Sequence, residues 1–291
     1  MKSIVILGAG QMGKNAELLL NKSEYKLMAF GDNAADRMDK PVYTGTHCIL
    51  PISEALALDP DLVFVAVASK DRGMALEKQA RDLGYKGKLV RLDEAREAVD
   101  MRSAVTKRIA ERIHETRVPG SIAELGVYQG DFACMLNELF PERSLYLFDT
   151  FEGFDQRDME TEKRHGFSES YKQEFSDTSE ELVLARMPYK SRVILRNGFF
   201  PETTEGLDDI FAFVSLDADL YAPTLAGLEW FWPRLSPGGA ILLHDYSNPC
   251  FPGVKHAVTD FEMKNGRISL TPLCDMHGSA VIMQADSRSM L

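Results

Sequence analysis

The sequence predicts two α/β domains in tandem, each a doubly wound sheet of mainly parallel strands. Three observations carry that expectation. Short apolar runs rich in Val, Ile and Phe alternate with helical patterns along the chain, as βαβ units require. Two glycine-rich turns, starting at Gly8 and at Gly126, each lie between a strand and a helix, and in each case the next strand ends in an acid, Asp32 or Asp149. The length, 291 residues, suits two domains of ordinary size.

Composition narrows the functional classes. Hydrophobic residues make up 45% and charged residues 26%, a globular balance. No apolar run approaches the ~20 residues a membrane helix needs. Met1-Lys2 leads straight into a strand, so no signal peptide is expected. Cys48, Cys134, Cys250 and Cys274 are scattered without a CxxC pair and read as reduced thiols of a cytoplasmic protein. The net charge is −11, and residues 101–291 hold most of it, with 19 basic against 29 acidic residues. That excess argues against nucleic acid as the partner. A small molecule is the expected partner, with neither nucleic acid nor membrane, and a homo-oligomer is compatible with the chain.

In the first domain, residues 1–95, the strand Ser3–Leu7 runs into GAGQMG and a helix over Lys14–Lys22. The second strand, Lys26–Phe30, is followed by Asp32. This is the G-x-G-x-x-G pattern of a Rossmann-like domain. Gly8, Gly10 and Gly13 let backbone N–H groups approach a phosphate, and Asp32 can hold a ribose. A nucleotide is therefore a candidate ligand, although the same glycines also permit close helix–strand packing. The later strands, Leu62–Ala68 and Lys88–Leu92, carry no His, Lys or Tyr set suited to hydride transfer. Residues 96–118 are expected as a helical linker, part of one helix over Glu94–Arg117. Its stripe of Val105, Ile109 and Ile113 would pack on one domain or pair subunits.

The second domain, residues 119–291, opens with the strand Ser121–Leu125, the turn Glu124–Gly130 and the helix Asp131–Leu139. The spacing is E-x-G-x-x-x-G, and the next strand, Ser144–Phe148, ends at Asp149. That pattern is associated with S-adenosylmethionine. Glu124, Gly126, Tyr128, Gly130 and Asp149 are the candidate cofactor residues. Glu152–Thr178 is acid-rich and aperiodic, and is expected as a lid or a disordered segment. Two further strands end in acids. Phe211–Tyr221, FAFVSLDADLY, stops at Asp217-Ala218-Asp219, and Ala240–Tyr246, AILLHDY, stops at His244-Asp245. Alternation along an extended chain would put Asp217 and Asp219 on one side. If the two strands are neighbours, three carboxylates and an imidazole converge at a divalent-metal site, an acid–base site or both. Their close repulsion would raise at least one pKa. The plainer alternative is that these acids cap the following helices. Residues 252–264 read as the last helix, 278–283 as the final strand, and 286–291 as a frayed tail.

ELGVYQGDFA, LYLFDTFEGF, FVSLDADLY, SPGGAILLHDY and PGVKHAVTDF occur in that order. Together they resemble the macrocin O-methyltransferase family (TylF/MycF/NovP-like), over roughly residues 119–284. The resemblance implies a seven-stranded class I methyltransferase fold and transfer of a methyl group from S-adenosylmethionine to a sugar hydroxyl. It implies a divalent cation, usually magnesium, bound to two neighbouring sugar hydroxyls. By position Asp217 and Asp245 would be its ligands and Asp219 the general base. Some members have Asp where this chain has His244, and a neutral imidazole is a poor magnesium ligand. A transition metal, or His244 outside the coordination shell, is then expected; without a metal, His244 would be the base. The leading alternatives are an NAD(P)-dependent oxidoreductase built on GAGQMG and a nucleotide-sugar-binding protein.

Overall fold

The computed structural model describes residues 1–35, 48–168 and 174–285, which fall into two units, Met1–Met101 and Arg102–Leu291. The first unit contains β1 (Lys2–Leu7), α1 (Gln11–Leu19), β2 (Tyr25–Gly31), β3 (Ile49–Leu50), α2 (Ile52–Leu56), β4 (Leu62–Val65), α3 (Lys70–Asp82), β5 (Lys88–Arg91) and α4 (Leu92–Ala98). Its sheet has the order β3-β2-β1-β4-β5, and its strand pairs are parallel. The buried stretches of these strands are apolar because both faces are covered. Ile4, Ile6 and Phe30 pack with Ala16 of α1 on one face, and Val5, Leu7, Val63 and Val65 with Ala55 of α2 and Ala80 of α3 on the other. Each of the Val, Leu, Ile and Phe side chains, fully buried, contributes ~1.5–3 kcal/mol.

The second unit continues with α5 (Met101–Glu115), β6 (Ser121–Leu125), α6 (Asp131–Leu139), β7 (Leu145–Asp149), α7 (Gln156–His165), α8 (Glu180–Arg186), β8 (Val193–Asn197), β9 (Phe211–Leu216), α9 (Tyr221–Phe231), β10 (Leu235–Leu243), α10 (Pro252–Asn265), β11 (Leu270–Pro272) and β12 (Ala280–Met283). Its sheet has seven strands in the order β11-β12-β10-β9-β6-β7-β8. β12 runs antiparallel to both its neighbours, and the other pairs are parallel. β9 lies at the centre, and all six of its residues are buried. Ile122, Leu147, Phe213 and Leu242 face α5 and α6 through Ile113 and Leu136. Ala123, Phe148, Val214 and Ile241 face α9 and α10 through Phe231 and Phe261.

Several sequence expectations need correction. Residues 96–118 are not one linking helix: the chain leaves helical geometry at Val99, and α5 restarts at Met101. Ile113 lies in the core of the second unit, with Val105 and Ile109 packed against it, so α5 is part of that unit. β4 ends at Val65 and β10 at Leu243, earlier than the apolar runs suggest, so Ala66–Ala68 and His244–Tyr246 lie beyond their strands. The segment 152–178 contains the helix α7, capped by Asp155 and closed by Gly166 in the left-handed region. Residues 169–173 of that segment, and the expected frayed tail 286–291, lie outside the described residues.

Candidate active site

The register of the sheet sets out the site. Leu125 and Leu243 both pair with Leu216, so Gly126, Asp217 and His244 leave three adjacent strands at one level. The amide of Gly126 donates to Phe148 O at 2.9 Å, and that of Asp217 donates to Leu125 O at 2.8 Å. The turn passes so close to β9 that a Cβ on Gly126 would lie 2.0 Å from Asp217 O, and its φ of +86° is also one that glycine favours. Gly130, with φ +81°, caps α6. Asp149 is held by three amides: Val127 at 2.6 Å and Tyr128 at 3.0 Å on Oδ2, and Phe151 at 2.8 Å on Oδ1. A carboxylate has about four acceptor sites, so Asp149 can still take a ribose hydroxyl. The Tyr128 hydroxyl donates to Asp177 at 2.8 Å, which ties the end of the inserted segment to the turn.

A cavity of about 320 Å³ opens over these strand ends. Glu124, Gly126 and Asp149 line one part of it, and Phe154, Asp158 and Phe199 another. Asp217, Asp219 and His244 also line it. Glu124 is 1% exposed, and burial, with Asp217 and Asp149 adding repulsion, drives its carboxyl well above the usual range. Asp158, 8% exposed, is pushed up to about 7 by burial and the nearby Asp155 charge.

The acid cluster forms as the neighbouring strands allow. One ligand atom each from Asp217, Asp219, His244 and Asp245 lies within 4.8 Å of the others. Alternation does not account for it. β9 ends at Leu216, and Asp219 turns back with φ +57°, while Asp245 has φ +55°. Non-glycine residues adopt this region at a cost, and such strain gathers at functional sites. The capping alternative fails for α9, whose first amide, Tyr221 N, donates instead to Glu162 of α7 at 2.5 Å.

Charge is finely divided among these groups. Asp217 lies 2.9 Å from Arg102 Nη1 and 2.9 Å from His244 Nδ1. Burial pushes its pKa up, but the His244 and Arg102 charges outweigh that and hold it well below the carboxylate range. Asp219 goes the other way, raised by burial and by the repulsion of Asp217 and Asp245. His244 Nδ1 is also 2.9 Å from Asp245 Oδ2. Burial alone would lower the His244 pKa, but the two aspartates raise it to about 10. Asp245 is buried and accepts from Asn248 Nδ2 at 2.7 Å.

In the first unit, Gly8, Gly10, Gly13 and Asp32 form the expected strand–turn–helix. Asp32 Oδ2 accepts from Ala9 N and Oδ1 from Ala34 N, both at 2.8 Å. Sequence reasoning missed Arg102, Ser215, Asn248 and Asp158. Only Asn248 carried a local signal, a short polar residue three positions after Asp245.

The strand order, the glycine turn and the acid-ended strands define a class I methyltransferase. A model of the macrocin-O-methyltransferase (TylF) family matches residues 74–284, and the chain belongs to that family. It is an S-adenosylmethionine-dependent O-methyltransferase. The 8-demethyl-8-(2,3-dimethoxy-alpha-L-rhamnosyl)-tetracenomycin-C 4'-O-methyltransferase of Streptomyces olivaceus is 27% identical over 192 residues, 60% of this chain and 70% of that enzyme. The mycinamicin III 3''-O-methyltransferase of Micromonospora griseorubida is 26% identical over 162 residues, 51% of this chain and 63% of that enzyme. Among solved structures, the O-methyltransferase NovP superposes with a TM-score of 0.52 at 21% identity, covering 63% of this chain and 79% of its own. The calicheamicin methyltransferase CalS11 gives 0.53 at 22%, covering 74% and 86%. At these identities the two structures establish the fold.

Proposed function

We propose that the chain methylates a sugar hydroxyl, free or within a glycoside, with a divalent cation held by Asp217 and Asp245, His244 beside it, and Asp219 taking the proton. The observation that carries this reading is the convergence of Asp217, Asp219, His244 and Asp245 within 4.8 Å, the first three lining the cavity that Glu124, Gly126 and Asp149 also line. The relative named for a rhamnosyl tetracenomycin supports a sugar acceptor.

The donor set fits a cation. The Asp217 and Asp245 carboxylates suit a hard dication such as magnesium, and the His244 ring, which holds a proton against both of them, suits a place outside the coordination shell. When bound, a dication would acidify a coordinated hydroxyl, as it does water. The residues divide the remaining work by their environments. Asp217, kept ionised by His244 and Arg102, suits a permanent anion. Asp219, whose carboxyl is raised by burial and by the Asp217 and Asp245 charges, suits a group that receives a proton. The turn and Asp149 hold the donor, and positioning of this kind is worth up to ~7–11 kcal/mol.

A metal-free reading with His244 as base is weaker, because two aspartates hold a proton on that ring. Methyl transfer from labelled S-adenosylmethionine to a panel of rhamnosides tests the choice. Chelator should abolish turnover and added cation restore it. Asp217→Asn should lose the metal, and Asp219→Asn should keep it while turnover falls ~10²–10⁴-fold. Full activity in chelator, no metal by elemental analysis and a dead His244→Ala enzyme would move the base to His244.

A further inference from the structure

We propose that Asp158 selects the base of the methyl donor, its carboxyl pairing with the 6-amino group of the purine and the ring nitrogen beside it. The proposal rests on the S-adenosylmethionine reading above. It gives the site a specificity residue on α7, the helix inserted between β7 and β8, outside the glycine turn and the acid-ended strands.

Asp158 does not behave as an ordinary helix-start acid. It is 8% exposed and lines the cavity, and among the described residues none donates a hydrogen bond to its carboxyl. An acid at a helix start usually takes one of the free amides of the first turn. Here Asp155 takes that of Arg157, at 2.9 Å. The Arg157 guanidinium is engaged elsewhere: it meets Asp155 and Glu202, both at 2.9 Å, and lies over the Phe199 ring, 3.4 Å from its centroid. Glu162, one turn further along α7, is buried too but fully occupied. It accepts from Tyr221 N at 2.5 Å and from Ser168 Oγ at 2.8 Å. A buried polar group left without a partner is rare in folded proteins. One that stands in the wall of a cavity calls for a ligand.

The order of the strand ends says which part of the donor it meets. The strands run β9-β6-β7-β8. The methyl group must reach Asp219, just beyond β9, while the ribose sits on Asp149 at the end of β7. The base then extends the other way, over β8. Asp149 and Asn197 are register partners there, and Gly198 N donates to Asp149 O at 2.9 Å. Gly198, Phe199 and Phe200 follow β8 and line the cavity, as do Phe154 and Phe175. Through Arg157, the start of α7 is fastened to Phe199 and Glu202 of the same stretch. Flat apolar walls with one polar side chain suit a purine whose orientation that side chain fixes. Adenine carries an N–H donor and a ring-nitrogen acceptor side by side. A carboxyl that keeps its proton has the complementary pair. Burial and the Asp155 charge, with Arg157 opposing and Glu162 adding repulsion, push the Asp158 pKa up to about 7. A carboxamide makes the same two bonds to adenine. The acceptor hydroxyl belongs at Asp219, three strands from β8.

Calorimetric titration with two probes tests this: 5′-methylthioadenosine, and the purine analogue of it that lacks the 6-amino group. The wild-type chain should bind the adenine probe ~10-fold or more tightly than the analogue. Asp158→Leu, of similar size and without polar atoms, should weaken the adenine probe ~10–100-fold and the analogue less than ~5-fold, so that the preference disappears. Asp158→Asn, which keeps a donor and an acceptor, should keep the preference. Asp158→Ala carries the test if Asp158→Leu does not fold. Equal weakening of both probes, or no preference in the wild-type chain, overturns the proposal and leaves Asp158 a prop of α7. Unchanged probe binding with a raised KM for the acceptor sugar also overturns it and moves Asp158 to the acceptor. If the wild-type chain binds neither the adenine probe nor S-adenosylhomocysteine, the S-adenosylmethionine reading itself has failed, and the proposal with it.

Discussion

The two glycine turns of this chain share their backbone bonding and differ in their side chains. Gly8 N donates to Gly31 O, and Gly126 N to Phe148 O. Ala66 N donates to Leu7 O at 2.8 Å, and Asp217 N to Leu125 O at the same distance. Asp32 accepts from Ala9 N, one residue after Gly8, and Asp149 from Val127 N, one residue after Gly126. Each acid also accepts from the amide two residues further on, Ala34 or Phe151. These matches place Ile6 where Glu124 stands and Ala66 where Asp217 stands. Glycines and a strand-end acid build the turn of an α/β unit whatever it does. The chemistry lies in the side chains that end the strands beside it, and in the first unit those are apolar.

The comparison breaks hardest at the acids they share. Asp149 should do two jobs, bracing its turn and binding ribose. Asp149→Ala removes both, so S-adenosylhomocysteine affinity should fall by ~1–3 kcal/mol, the cost of stranded hydrogen-bond partners. Asp149→Asn keeps the shape but replaces one acceptor oxygen by an amide, and should fall between. Titration of both variants decides it, and unchanged affinity in the alanine variant would mean that Asp149 only braces.

How far the site could be read from the sequence follows from the same division. Acids at strand ends are local features, so Asp217, Asp219, His244 and Asp245 were legible, and one neighbour relation, β9 beside β10, sufficed to bring them together. The left-handed turn at Asp219 was not legible, since nothing in D-A-D marks where the strand stops. Arg102 was hidden because it sits in a helix with Lys107, Arg108 and Arg112, where one arginine looks like the next. Only the packing of α5 on the sheet turns it inward. α7 had readable caps in Asp155 and Gly166, but the acids around them obscured its buried face, where Asp158 and Glu162 are polar rather than apolar. β3 and β11, of two and three residues, are edges too short to leave a pattern.

Asp158 sharpens the comparison through pH. Its pKa rises from 3.8 to about 7 on folding, mainly by burial. Between those values the unfolded chain has released a proton that the folded chain keeps, so stability falls as pH rises from about 4 to about 7. At 1.36 kcal/mol per unit the ceiling is ~4 kcal/mol, and water in the cavity should reduce it to ~1–2 kcal/mol. Asp158→Asn removes the titration. Relative to wild type, it should gain ~1–2 kcal/mol between pH 4 and pH 8 in denaturant melts. A difference independent of pH would show that Asp158 is not strained by its burial.

The smallest effect is expected at Gly10, and it bears most directly on what the first turn is for. Packing accounts for its neighbours. A Cβ on Gly8 would lie 2.9 Å from Ala66 O, and one on Gly13 2.0 Å from Gly8 O. A Cβ on Gly10 would meet nothing within 4 Å, and the residue caps α1 with ordinary dihedrals, φ −74° and ψ −161°. Gly10→Ala should lose a few tenths of a kcal/mol as a poorer N-cap and recover a similar amount from the unfolded chain, leaving the fold within ~0.5 kcal/mol of wild type. If the turn takes a nucleotide phosphate, the added methyl group stands in its path. Millimolar NAD(H), NADP(H) or a nucleotide sugar should then raise the melting temperature of the wild-type chain, and the variant should lose that shift. A shift that survives Gly10→Ala would put the ligand elsewhere. The absence of a shift with all of these in wild type would make the first unit a scaffold, with Gly10 a glycine that packing does not require.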